Sequence, residues 1–400
     1  MSQDPFIRKL TLRNFRSIRN EAVTFANPLF LVGRNGSGKS NFVSALAFLS
    51  ECMEMSLQSV IEQWGGVDRL CHRLTSPDMS LRADIQLDSE HGYLGTYAFT
   101  LRVTDDMNMV VAREQCHLEG EADAIWFERT ENDFSTNIPG IQPALDAQSL
   151  VMPILGGVKV LYPLYRPLRA LRVYQIKPEV IGAIQEQSSS PYLRSDGSNS
   201  NSVLLRLVKR DNGFVKRIPS SMSRVGDLLQ SVVPGVSLRP PEFDSGLSIL
   251  SVEQDWAGLK AVFKASSMST GTLYALGLII AALQDPAPSL IAIEEPELNI
   301  HPGALDAIGD ILNVAAERTQ VVVTTHSPDL IDAKWITPEN LRVVEWANGE
   351  TRISELGQAP VKALRQHLMG AGELMRANAL DAAPLSASED TADLFEKVPA

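Results

Sequence analysis

Gly33-Arg34-Asn35-Gly36-Ser37-Gly38-Lys39-Ser40 is the stretch that decides how this chain folds. It fits G-x-x-x-x-G-K-[ST], a loop whose glycines let the backbone turn tightly enough to aim its N–H groups at phosphate oxygens. The flanks agree with that reading. Pro28-Leu29-Phe30-Leu31-Val32 reads as a buried strand entering the loop, and Asn41-Phe42-Val43-Ser44-Ala45-Leu46-Ala47-Phe48-Leu49 has apolar positions at helical spacing. Strand, glycine-rich loop and helix in that order is the setting a phosphate loop requires; a plain Gly-rich turn is the alternative. Lys39 is expected to reach the β- and γ-phosphates of a nucleotide and Ser40 to put its hydroxyl on Mg2+. Asn35, Gly36, Ser37, Gly38 and Asn41 complete the cradle.

Three further stretches share that chemistry. Leu290-Ile291-Ala292-Ile293 is an apolar strand ending in Glu294-Glu295, and burial of the strand fixes where those carboxylates point. Glu294 is expected to bind Mg2+, directly or through water, and Glu295 to orient or deprotonate an attacking water. Val321-Val322-Val323-Thr324-Thr325 is a second buried strand with His326 just past it, where an imidazole can contact the γ-phosphate or that water. Met268-Ser269-Thr270-Gly271-Thr272 precedes an apolar helix, so Ser269 and Gly271 make a second anion site at its N-terminus. Alone, S-x-G before a helix is a common N-cap. Taken with the other elements, it is expected to face a γ-phosphate held by a second copy of the chain.

Composition narrows the class. Of 400 residues, 44% are hydrophobic and 21% charged, as in a soluble globular chain with a sizeable core. A net charge of −12 and a pI near 5.1 argue against a broad nucleic-acid surface. Cys52, Cys71 and Cys116 are scattered with no C-x-x-C pair, which fits a reducing cytosol and excludes a disulfide framework. The polar start Met1-Ser2-Gln3-Asp4-Pro5 is not a secretory signal, and the apolar runs are too short to span a bilayer. A cytoplasmic protein with no membrane contact is expected.

With these elements placed, the chain resembles ABC-class ATPase heads of the RecF/SMC/OLD branch, including ATPase subunits of bacterial anti-phage systems. The marks are Asn14-Phe15-Arg16-Ser17, Met268-Ser269-Thr270-Gly271, Glu294-Glu295-Pro296-Glu297-Leu298-Asn299-Ile300-His301-Pro302 and Thr325-His326-Ser327-Pro328. Transporter ATPases differ, with a fuller Leu-Ser-Gly-Gly-Gln signature and an Asp-Glu pair where this chain has Glu294-Glu295. The resemblance implies an α/β P-loop NTPase fold of ABC-ATPase-head type, with an antiparallel β subdomain, a helical insertion and no long coiled coil. It implies ATP and Mg2+ as cofactors and a homodimer, or a higher assembly, closed around two nucleotides. It puts Arg16 near the nucleotide, Gln175 in the place of a glutamine that senses Mg2+ and water, and Asn299 and His301 in a loop crossing the dimer interface. A Gln ending a strand such as Leu171-Arg172-Val173-Tyr174 is otherwise simply solvated.

Departures from that branch matter too. No heptad run suits tethering of the SMC kind, and the residues after His326 lack the strand-borne D-x-D pair of a Toprim nuclease. The chain is therefore expected to act on a separately encoded effector, such as a Toprim-type nuclease in anti-phage defence, with nucleic-acid contact possible. The alternatives are a RecF-like repair ATPase that binds DNA and a low-turnover, nucleotide-regulated scaffold. The expected domains are an ATPase lobe over 1–180, a mainly helical insertion over 181–265, a second ATPase lobe over 266–370 and a flexible acidic tail over 371–400. Within them, residues 80–130 read as antiparallel strands with a turn at His91-Gly92, and helices are expected near 202–208 and 222–232.

Overall fold

The structure, a computed structural model, describes residues 7–72, 78–88, 93–119, 124–211, 221–256, 259–384 and 394–396. The start of the chain, the turn at His91-Gly92 and, in the acidic tail, residues 385–393 and 397–400 lie outside the described residues. Two compact units divide the chain, one gathering Asp4–Arg172, Thr337–Leu368 and Asn378–Ala400, the other mainly Val173–Ile336 and Met369–Ala377.

The first unit holds the phosphate loop. Its largest element is a seven-stranded antiparallel sheet, ordered Ile18–Thr24, Ile7–Phe15, Asp78–Asp88, Tyr93–Val103, Met109–Glu119, Ile125–Thr130, Phe134–Thr136. Period-two alternation sends Leu81, Ala83 and Ile85 to the buried face with Tyr97, Phe99 and Leu101. Glu114 is wholly buried on that face, where it accepts hydrogen bonds from the Tyr97 hydroxyl (2.8 Å) and the Val151 and Met152 N–H groups (2.6 and 2.8 Å). That carboxylate ties the sheet to the segment leading into helix Tyr162–Arg169.

Leu29–Val32 pairs in parallel with Leu341–Ala347, which pairs antiparallel with Glu350–Ser354. All four residues of Leu29–Val32 are buried, as their apolar run demands. Helix Lys39–Glu54 follows the loop and buries Phe42, Val43, Leu46, Leu49 and Met53, one stripe at helical spacing. Phe48 on that helix packs against Phe99 of the sheet, ring centroids 6.4 Å apart, and against Trp64.

The second unit holds the carboxylate strand. Leu290–Glu294 and Gln320–Thr325 pair in parallel, with Glu294 opposite Thr324. Helix Thr270–Leu283 is buried on every side from Thr272 onward, and helix Leu305–Ala316 buries one face. Segment 181–265 contains the two expected helices, Ser200–Asp211 and Ser221–Val232, and adds a β component. Val236–Leu238, Ser251–Trp256 and Leu259–Lys264 form a three-stranded antiparallel sheet, defined by strand pairing rather than by burial. No helix among the described residues is long and apolar enough to cross a membrane. The segment expected to be a flexible tail contains a helix, Ala371–Arg376, and a buried pair, Leu394 and Phe395.

One buried acid ties folding to pH. Glu21, in strand Ile18–Thr24, accepts from the Ile353 N–H (2.9 Å) and from Arg352 (3.3 Å). Burial nevertheless raises its carboxyl from an ordinary 4.5 to about 7, against the lowering pull of those two donors. The folded chain holds this proton more tightly than the unfolded chain does. The resulting stability is fully present below about pH 4.5 and is lost as pH rises through about 7, a change of roughly 3 kcal/mol. Denaturant titrations at about pH 5 and about pH 8 should show that loss in the wild type and a much smaller one in Glu21→Gln.

Candidate functional site

The phosphate loop owes its shape to residues far away in sequence. Gly38 caps helix Lys39–Glu54 with φ +104°, a left-handed conformation that L side chains rarely adopt. A Cβ there would sit 1.8 Å from the Thr351 hydroxyl, so glycine is required on steric grounds as well. Thr351 donates to the Ser37 carbonyl (3.0 Å) and its hydroxyl also meets that of Ser17 (2.7 Å). Asn41 donates to the Ser17 hydroxyl (2.5 Å), so its side chain braces the loop from behind.

Lys39 is almost wholly buried, with its ammonium donating to the Gly33 and Arg34 carbonyls (2.8 and 3.0 Å). The charge is thereby held at the loop's own backbone. Ser37 carries a buried hydroxyl with no hydrogen-bond partner, while Asn35, Gly36 and Ser40 are exposed. An orphaned hydroxyl beside a fixed cation is the environment an anion would complete. Arg16, at φ +50°, donates to Ser44 (2.9 Å) and Asn41 (3.4 Å), with its guanidinium 4.8 Å from the Trp64 ring centroid. It is anchored beside the helix that the loop opens.

The second set of residues gathers at the end of strand Leu290–Glu294. Glu295 donates its N–H to the Thr324 carbonyl (2.9 Å) and then turns left-handed at φ +46°, which ends the strand. The Gln175 amide donates to Glu294 (3.1 Å), so the expected glutamine and acid do meet. His326 Nδ1 lies 3.5 Å from a carboxylate oxygen of Glu295 and 3.5 Å from one of Glu297.

Sequence reasoning overlooked Glu297. Its Oε1 accepts from the Thr325 hydroxyl (2.6 Å) and from the His326 N–H (3.1 Å), and Oε2 is buried with no partner. The available signal was a third acid in Glu294-Glu295-Pro296-Glu297, where a strand end has room to solvate fewer. Burial first, and after it the charges of Glu297, Glu295 and Glu294 that make this pocket negative, push the Tyr274 phenol well up. Such a pocket suits a cation. Among the described residues no three His, Cys, Asp or Glu side chains are grouped to hold a metal unaided. Mg2+ commonly takes one or two protein ligands and completes its shell with substrate phosphates and water.

Gln175 is positioned by the loop Asp196-Gly197-Ser198-Asn199 and the residues before it. Its N–H donates to the Ser195 carbonyl (2.9 Å), and that of Lys177 to the Asp196 carbonyl (3.1 Å). Asp196 in turn accepts from the Ser198 N–H (2.9 Å), and the buried Asn199 side chain clamps both Arg194 and Tyr192. Asp196-Gly197-Ser198-Asn199 thus works as a backing for the glutamine.

Comparison with known proteins adds the lineage. A family model described as "AAA ATPase domain" matches residues 6–122, and one described as "AAA domain, putative AbiEii toxin, Type IV TA system" matches residues 179–332. An Old nuclease of Escherichia phage P2 is 23% identical over 346 residues, 82% of this chain and 57% of that protein. The chain thus spans little more than half the length of this relative. An Smc head bound to the C-winged helix domain of ScpA has a TM-score of 0.56 at 15% identity, covering 90% of this chain and 99% of that one. Together these likenesses support an ABC-class ATPase of the RecF/SMC/OLD type. An Smc head domain with an extended coiled coil, bound to the C-terminal domain of ScpA from Pyrococcus furiosus, likewise gives 0.56 at 13% identity, covering 91% of this chain and all of that one. At these identities the structures speak to the fold alone, a P-loop NTPase of ABC-ATPase type.

In this ATPase the stretch read as a signature begins helix Thr270–Leu283. Ser269 is its N-cap, accepting from the Thr272 N–H (3.2 Å) and meeting the Thr272 hydroxyl (2.8 Å). Gly271 packs against the loop after the carboxylates: a Cβ there would lie 2.5 Å from the Asn299 carbonyl. His301 accepts from the Gly303 N–H (3.1 Å) in the same loop. Helix propensity alone favours Gly271→Ala by up to about 1 kcal/mol, whereas overpacking against fixed backbone costs about 1–3 kcal/mol. Gly271→Ala should therefore lower the urea midpoint; a higher midpoint would show that Asn299 yields freely.

Proposed function

We propose that this ATPase binds ATP·Mg2+ through the phosphate loop and hydrolyses it slowly at the carboxylate end of strand Leu290–Glu294. Lys39 holds the β- and γ-phosphates, with the N–H groups from Asn35 to Asn41 and the Ser37 hydroxyl around them. Ser40, Glu294 and Gln175 hold the metal, whose charge offsets that building on the phosphates. Glu295 orients the attacking water and accepts its proton. His326, held beside both Glu295 and Glu297, contacts the γ-phosphate and reports its loss. The observation that carries this reading is the cluster of Gln175, Glu294, Glu295 and His326 at one strand end.

Two copies would close around two nucleotides, each γ-phosphate meeting Ser269 and Gly271 of the other copy. Closure and release would then gate a separate effector, since only differential contacts before and after hydrolysis can shift such an equilibrium. Likeness to the longer Old nuclease supports a nuclease as that effector, with anti-phage defence as the setting. The functional lobes of such a machine would be 1–180 and 266–370, with 181–265 inserted between them.

Glu295→Gln should reduce phosphate release by at least about 100-fold and leave ATP binding intact. Light scattering should then find the variant dimeric in ATP and monomeric without it. A monomer under both conditions rejects the sandwich. Equal phosphate release from wild type, Glu295→Gln and Lys39→Ala leaves the scaffold reading in its place.

A further inference from the structure

The outer face of the seven-stranded sheet should be polar. Cross-strand register puts Arg82, Ala98 and Gln115 in one row, flanked by Ser80, Thr100 and Arg113 on one side and Asp84, Thr96 and His117 on the other. Residues of this face alternate with the core residues Leu81, Tyr97 and Phe99, so solvent ought to reach them. Yet Ala98 is fully buried and Gln115 nearly so. What covers them is a short piece from late in the chain, Leu394-Phe395-Glu396.

Each of its residues meets a matching group. Leu394 and Phe395 bury themselves over Ala98, whose small side chain leaves a notch among larger polar neighbours. The Gln115 amide donates to the Glu396 carbonyl (2.9 Å) and accepts from the Glu396 N–H (2.7 Å), reading both backbone groups of one residue. Arg82 pairs with the Glu396 carboxylate and donates to the Leu394 carbonyl (3.3 Å). The Arg113 guanidinium lies 4.1 Å from the Phe395 ring centroid, a cation–π contact. Phosphate-loop geometry explains none of these contacts.

We propose that this face is a recognition site for a leucine–phenylalanine–acidic segment, and that residues 394–396 occupy it as a detachable latch. The chemistry is selective at each position: an apolar notch, an amide that meets both backbone groups of one residue, a cation for the aromatic ring and a cation for the acid. The surrounding sequence, Glu389-Asp390 and Asp393 before the motif, matches the two arginines in charge. A polypeptide that docks on this face must first displace the latch. The proposal stands independently of ATP hydrolysis.

The test is a labelled peptide of residues 389–400 titrated by fluorescence anisotropy onto full-length protein. Onto the Leu394→Ser/Phe395→Ser chain, whose receptor face is untouched, it should bind at least about tenfold more tightly than onto wild type, where the tethered segment competes at high effective concentration. Adding Arg113→Ala or Ala98→Glu to that chain should abolish binding. Equal affinity for wild type and the double variant, or none for either, overturns the proposal. Hydrogen exchange gives a second measurement: Ala98→Glu in the otherwise wild-type chain should expose the amides of residues 394–396, and Ala98→Ser should not. Unchanged protection in Ala98→Glu also overturns it.

Discussion

Two parallel strands buried on both faces can place ionised groups only where they end, since a charge in their middle would be stripped of water with nothing to replace it. Leu290–Glu294 and Gln320–Thr325 obey that limit, and the chemistry of their unit follows from it. Ile293 and Val323 are the last apolar pair; one step later Glu294 faces Thr324, and beyond it come Glu295, Glu297 and His326. The left-handed turn at Glu295 stops the strand so that the chain can double back, with Glu297 under Thr325 and His326. Two donors to one oxygen of Glu297 offset part of the cost of burying that carboxylate, and its second oxygen remains unsatisfied.

Much of this was readable from residue order alone. Gly33 to Ser40 between an apolar strand and a helical stripe specifies a phosphate loop because the constraint is local: glycine conformations, one helix start and one lysine. The helix–strand–helix–strand order after residue 268 was equally plain, for buried parallel strands are continuous apolar runs. Gln175 was indicated by the resemblance rather than by residue order, and its hydrogen bond to Glu294 is visible only in the fold.

What escaped notice depends on contacts remote in sequence or on one residue in a crowded run. Glu297 was one acid within the run after Pro296, and only the return of the chain beneath His326 buries it. The hairpin Ser251–Trp256 with Leu259–Lys264 has exposed apolar residues and little alternation, so pairing rather than burial defines it. Leu394 and Phe395 sit in small, acidic sequence whose composition suggests no fold; their partners lie nearly three hundred residues away. The Asp196–Asn199 loop backs the Gln175 segment through backbone hydrogen bonds, which residue types do not encode.

Thr351 carries a consequence for the order in which the protein is made. The phosphate loop is complete in sequence at Ser40, yet the hydroxyl that supports its Ser37 carbonyl and fills the space opposite Gly38 is made only later, with residue 351. Strand Leu29–Val32 likewise waits for Leu341–Ala347 to pair with it. Nascent chains shorter than that hold the full phosphate-loop motif without its brace. The braced shape of the phosphate loop is therefore acquired only once this later part of the chain has been made and has joined it.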